Sequence, residues 1–190
     1  MRRSTALITY ASSLEEDSSV RDELQTFLTI WDTEAKKTAA VMRALPAGEY
    51  DFRPDPAGRS LGELAWHLAE VDAYPTYGIE QGTFKLGSKP LGIERPKSIE
   101  ELAPAYERVH ADAAERIRQQ LVPADLDRKL VHFTGAERPI RELLWGTVLF
   151  HMIHHRGQLS ILSRLAGGVV PSIFGPNREE MATLRARARA

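Results

Sequence analysis

Four stretches of this chain place apolar residues at alternating steps of three and four, and almost nothing in it alternates at a step of two. That pattern limits the chain to packed helices. From Ser19 to Leu45 the stripe is Val20, Leu24, Phe27, Leu28, Trp31, Ala35, Val41, Met42 and Leu45. Prolines and glycines in "ALPAGEYDFRPDPAGR" end it. "SLGE" from Ser60 to Glu63 is a capping box that opens a second helix, predicted to reach Pro75 and to resume as far as Gln81. A second such box, "SIEE" at Ser98 to Glu101, opens a third helix that runs to Leu121. A fourth starts near Pro139 and stops at Gly167–Gly168. Between the third and fourth, "KLVHFT" reads as a short strand or a plain extended connection. The fold class predicted is therefore all-α, a four-helix bundle over residues 18–178. A loosely attached extension, residues 1–17, precedes it, and a charged helical tail, residues 179–190, follows.

The fourth stretch holds three of six histidines in "HMIHHRGQL". On a regular helical wheel with His151 at the origin, His155 lies at about 40°, Leu162 at about 20°, Val148 at about 60° and Leu159 at about 80°. His151 and His155 thus sit inside the apolar stripe, and His154 on its edge at about 300°. His67 of the second helix shares a side with Leu64, Val71 and Tyr74. An unpaired polar group in an apolar core costs about 1–3 kcal/mol, so three inward imidazoles need a common reason. A divalent ion supplies one, because side chains at i and i+4 on one helix can share a ligand. The plainer readings are that His67 is a boundary histidine and that the i, i+4 pair is a coincidence. Glu63 and Glu70 face near enough to offer a carboxylate, though Glu63 already caps its helix. Gln158, at about 340°, is placed to hydrogen-bond a ligand imidazole, and His154 to stand beside it. Arg156, at about 140°, points away into a structural or interface role. Trp66 and Tyr74 could shape a pocket. His110, among Glu107, Arg108 and Asp112, reads as a solvated boundary residue, and His132 as a loop residue apart from the site.

Composition narrows the chemistry. The net charge of −1, with no basic cluster, gives no footprint for nucleic acid. No apolar run approaches the roughly 20 residues of a membrane span, and "MRRSTALITYA" is too short in its apolar part for an export signal, so a cytoplasmic location is expected. The chain has no cysteine. Disulfides and an internal thiol nucleophile are therefore excluded, and any thiol chemistry needs a thiol from outside. Leu143, Phe150, Ile153 and Ile161 form a further apolar set on the fourth helix, away from the histidines. They predict a homodimer or cover by the C-terminal tail.

"GRSLGELAWHLAEVD" and "FHMIHHRGQLSILSRLAGGVVPSIFGP" resemble the two signature regions of the DinB-like, or YfiT-type, metalloenzymes, in order and over roughly residues 20–178. The resemblance implies a four-helix bundle, often dimeric, with a divalent metal held by three histidines, which fall here on His67, His151 and His155. Zinc and nickel are favoured, with iron and manganese compatible. It further implies a small-molecule substrate and a metal-dependent reaction. The first choice is a thiol-dependent S-transferase or isomerase using a low-molecular-weight thiol. The alternatives are a metal-dependent hydrolase and a non-catalytic, metal-stabilised bundle of the stress response. The residues that would carry catalysis beyond the ligands remain unknown at this level.

Overall fold

The structure, a computed structural model, describes the backbone of residues 5–189 and side chains over residues 23–189. Three long helices come first: α1 (Thr5–Arg43), α2 (Leu61–Glu80) and α3 (Ile99–Gln120). A 3-10 turn, Pro123–Asp127, leads to the antiparallel hairpin of β1 (Lys129–Val131) and β2 (Glu137–Pro139), in which Leu130 faces Arg138. The fourth bundle helix follows in three consecutive pieces. These are a single turn α4 (Ile140–Glu142), a π-helical segment Leu143–Phe150, and α5 (His151–Leu165). A last helix, α6 (Arg178–Arg187), carries the charged tail. The segment expected to be a separate extension, residues 1–17, has side chains outside the described residues; the backbone is helical from Thr5.

The apolar stripes do what their spacing predicts. Phe27, Trp31 and Met42 of α1, Leu61 and Leu68 of α2, Leu102 and Ile117 of α3, and Leu144 and Val148 of the fourth helix are all buried in one core. Helix α2 begins at the predicted capping box. The Glu63 amide donates to Ser60 Oγ at 3.3 Å, and the Ser60 amide donates to Glu63 Oε2 at 3.0 Å. Gly62, in the first turn, lets the preceding loop close on the helix, because a Cβ there would lie 2.3 Å from the Tyr50 ring. Pro75 does not end α2, which continues through it to Glu80. The Thr76 hydroxyl, next to that proline, donates to the Asp72 carbonyl at 2.7 Å.

At Ser98 the expectation needs correction. Ser98 occupies the N-cap position of α3, but its side chain makes no capping bond, so no capping box forms. Glu100 and Glu101 in the first turn still complement the positive end of that helix. The predicted stop at Gly167–Gly168 is a Schellman motif. Gly167 sits at φ 86°, its amide donates to the Arg164 carbonyl, and the Gly168 amide donates to the Ser163 carbonyl. "KLVHFT" resolves as strand β1 and the turn after it.

The fourth helix departs from regular α geometry over Leu143–Phe150. A π-helix bonds i to i+5 and turns less per residue than an α-helix. Wheel angles computed upstream of His151 at a constant 100° therefore drift. Leu143, assigned to the outer apolar set, is buried in the core, while Phe150 and Ile161 remain exposed. No helix among the described residues is long and apolar enough to cross a membrane.

Candidate metal centre

Helices α2 and α5 pack side by side and present His67 from one, His151 and His155 from the other. One ring nitrogen from each of the three lies within 4.8 Å of the others, and all three side chains are half-buried. The His151 and His155 Nε2 atoms are 2.7 Å apart, so at most one of them carries a proton. The His67 ring crosses both at 77°, with its centroid 5.7 Å from His151 and 4.6 Å from His155.

Two of the rings are held from behind. His67 Nδ1 lies 2.9 Å from Glu70 Oε2, one turn along α2, which leaves Nε2 for an ion. Glu70 also accepts from the Tyr74 hydroxyl at 3.4 Å. His155 Nδ1 lies 2.7 Å from Gln158 Oε1, and the Gln158 amide nitrogen lies 3.1 Å from His154 Nε2. Against the burial of His151, the Thr147 backbone works in the other direction, favouring its imidazolium. The His151 amide reaches the Gly146 and Val148 carbonyls instead of the Thr147 carbonyl that an α-helix would assign to it. A partner on one ring nitrogen fixes the other as the free one, and that is how metal-ligating histidines are oriented.

Charge in the centre suits a cation. Burial, opposed by the Gln158 contact, pushes His155 down to about 4. Burial and then the neighbouring His67 hold His151 below the ordinary histidine range. Both imidazoles are therefore neutral ligands at neutral pH. For Glu70, burial works upward, but the His67 contact outweighs it and keeps the carboxyl below its ordinary value. Tyr74, by burial and the Glu70 charge, is raised to about 12 and stays a neutral donor. Three imidazoles fit zinc, nickel, iron or manganese, and do not select sharply among them.

The predicted set His67, His151 and His155 is thus brought together. Gln158 stands where expected, bridging His155 and His154, and His154 is exposed beside it without joining the cluster. Glu63 is spent on its cap and on ion pairs with Arg53 and Arg95. Glu70 orients His67 rather than joining the ligand set, a role its i+3 position on the same helix face already permitted. Trp66 is a core residue. Arg156 is structural, as its angle implied: it is buried, and its guanidinium pairs with Glu34 at 2.5 Å. His110 is the clear correction. It is no solvated boundary residue but lies between Asp72 at 2.9 Å and Asp32 at 3.0 Å, with Asp72 wholly buried. The wheel of α3 alone could not show this, since both carboxylates come from other helices.

A bundle of four helices that joins one imidazole from its second helix to an i, i+4 pair on its fourth defines a class: helical proteins with a candidate three-histidine metal centre. The DinB superfamily model matches residues 30–159, a span that covers all three histidines. The chain belongs to that superfamily. It is 28% identical over 159 residues to the uncharacterised protein YrdA of Bacillus subtilis, covering 84% of this chain and 92% of that one. A crystal structure of a DinB-like protein from Bacillus cereus is similar with a TM-score of 0.63 and 28% identity, covering 79% of this chain and 97% of the other. The DinB-like protein YjoA of Bacillus subtilis, at 19% identity and a TM-score of 0.61, shares the fold over 80% of this chain and 99% of its own.

Proposed function

We propose that this protein is a metal-dependent enzyme that uses an external low-molecular-weight thiol, as an S-transferase or isomerase acting on a small molecule. The observation that carries the reading is the convergence of three imidazoles, within 4.8 Å of one another, in a chain without cysteine. His67, His151 and His155 would hold the ion, with Glu70 fixing the His67 ring and Gln158 the His155 ring. Imidazole is an uncharged donor, so three of them would leave the ion's double positive charge uncompensated, unlike a thiolate-rich structural site. A divalent cation in that setting supplies a lowered pKa for a bound thiol or water. The chain offers no thiol of its own, which makes the sulfur nucleophile a cosubstrate. Zinc and nickel are the first choices for the ion, with iron and manganese also compatible with imidazole donors.

The experiment is a turnover screen of electrophilic substrates on metal-loaded protein, with and without added thiol. Turnover is expected to require the thiol, to stop on chelation and to return with zinc or nickel. Hydrolysis of ester or amide substrates with no thiol binding by calorimetry would replace the transferase with a hydrolase at the same centre.

A further inference from the structure

Gly146 stands inside the π segment. Its φ is not positive, and a Cβ built on it would meet nothing within 4 Å. Gly146 is exposed, and with no side chain it leaves the space beside it open. The space is a cavity of about 470 Å³ between the fourth helix and the β1–β2 hairpin. That volume is within the range of small-molecule sites.

Its walls are specific. Trp145 and Phe150 flank Gly146, their rings 6.2 Å apart at 42°, and the Trp145 indole is fixed by donating to Glu23 Oε1 at 3.2 Å. Phe150 is 59% exposed, a large apolar side chain left uncovered at the cavity wall. His132 of the hairpin turn closes another side. The rim carries one cation and one anion, Arg138 and Glu142, which pair at 3.3 Å. Their side chains are 52% and 54% exposed, and a pair this open contributes little to stability. Thr147 also lines the cavity, in the π segment that leads directly into His151.

We infer that this cavity binds a ligand with an amino-acid head and an apolar, preferably aromatic, arm, the arm lying against Trp145 and Phe150. A plain anion would satisfy Arg138 but face Glu142, and a plain cation would do the reverse. A group bearing both carboxylate and ammonium replaces the weak Arg138–Glu142 pair with two charge-assisted contacts and leaves neither side chain unpaired. The inference rests on the proposed function for its meaning, since such a ligand is the thiol cosubstrate, the electrophile or their thioether product. Its test does not depend on turnover.

The probe is S-benzyl-L-cysteine, titrated by calorimetry into the metal-loaded full chain. N-acetyl-S-benzyl-L-cysteine lacks the ammonium and the methyl ester lacks the carboxylate. The parent compound is expected to bind about tenfold or more tightly than either analogue, a difference of about 1.4 kcal/mol. Arg138→Gln should abolish the preference over the ester, and Glu142→Gln the preference over the N-acetyl form. Gly146→Phe should fill the cavity and remove binding while metal content stays at the wild-type level. Both rim variants are at exposed positions, so they test the inference even if Gly146→Phe does not fold. Equal binding of the three probes, no binding of the parent to wild-type protein, or wild-type affinity in a folded Gly146→Phe variant would each overturn it. Parent-selective binding combined with thiol-independent turnover would leave this cavity standing and retire the thiol reading.

Discussion

His155 is the side chain in which the competing demands of this centre meet. It is taken out of water far enough to lower its imidazolium to about 4, and it sits 2.7 Å from a second ring nitrogen. What keeps that arrangement in register is the Gln158 carbonyl on its Nδ1 and, for His67, the Glu70 carboxylate. Partners of this kind are worth about 10- to 100-fold in metal affinity. Gln158→Ala and Glu70→Ala are therefore each expected to weaken metal retention by that order in a chelator competition, without unfolding the chain. Unchanged retention in both would mean the rings are fixed by packing alone. His154→Ala should leave occupancy intact, since His154 is outside the cluster and exposed. The histidine cluster was legible in the sequence because an i, i+4 pair inside an apolar stripe is a local pattern. Glu70 was half readable: its side of the helix was right, and its role was not.

At the scale of elements, two buried polar clamps tie the helices together. In the first, Asp72 of α2 accepts from the Trp31 indole of α1 at 3.0 Å and contacts His110 of α3, whose other nitrogen reaches Asp32. In the second, Arg156 of α5 pairs with Glu34 of α1 and donates to its backbone carbonyl. Removing one partner of a buried pair leaves an uncompensated charge and costs about 3–5 kcal/mol. Glu34→Ala is expected to lower unfolding stability by that order in urea titration. A cost below about 1 kcal/mol would place the pair among ordinary surface contacts.

The first clamp also predicts a pH dependence. Burial lowers His110, but the Asp72 and Asp32 carboxylates outweigh it and hold its pKa above the ordinary 6.5. A group raised in the folded state contributes stability that is fully present below its unfolded value and is lost as pH rises through the folded one. The urea midpoint of wild type should thus fall more steeply than that of His110→Asn as pH rises above the ordinary histidine value of 6.5. Parallel curves would show that His110 does not titrate between the carboxylates. These clamps join residues 38 to 122 positions apart, so no periodicity on one helix could show them. The same holds for the π segment, whose "LLWGTVLF" is apolar on every side and carries no phase to read.

For the whole molecule, the four stripes and the stop signals were enough to place the bundle, since each helix buries the face its own spacing marks. What they could not settle is what covers the outer face of the fourth helix. The tail crosses part of it: Arg164 of α5 makes a two-pronged pair with Glu179 of α6, and Phe174 lies under Lys37 at 4.0 Å. Ile161 nonetheless stays 65% exposed and Leu165 61% exposed. Apolar residues left open on a face the tail already crosses favour a second copy as the cover. Light scattering at high micromolar concentration is expected to give a dimer, and a strictly monomeric species would remove that expectation.

The centre itself is tested most directly by elemental analysis of the purified protein beside its histidine variants. Wild type should carry about one divalent ion per chain, as a three-imidazole site requires. Occupancy should collapse when His67, His151 or His155 is replaced by alanine, and hold in His110→Ala and His132→Ala. Full occupancy in a His151→Ala, His155→Ala double variant, folded as the wild type is, would contradict the account.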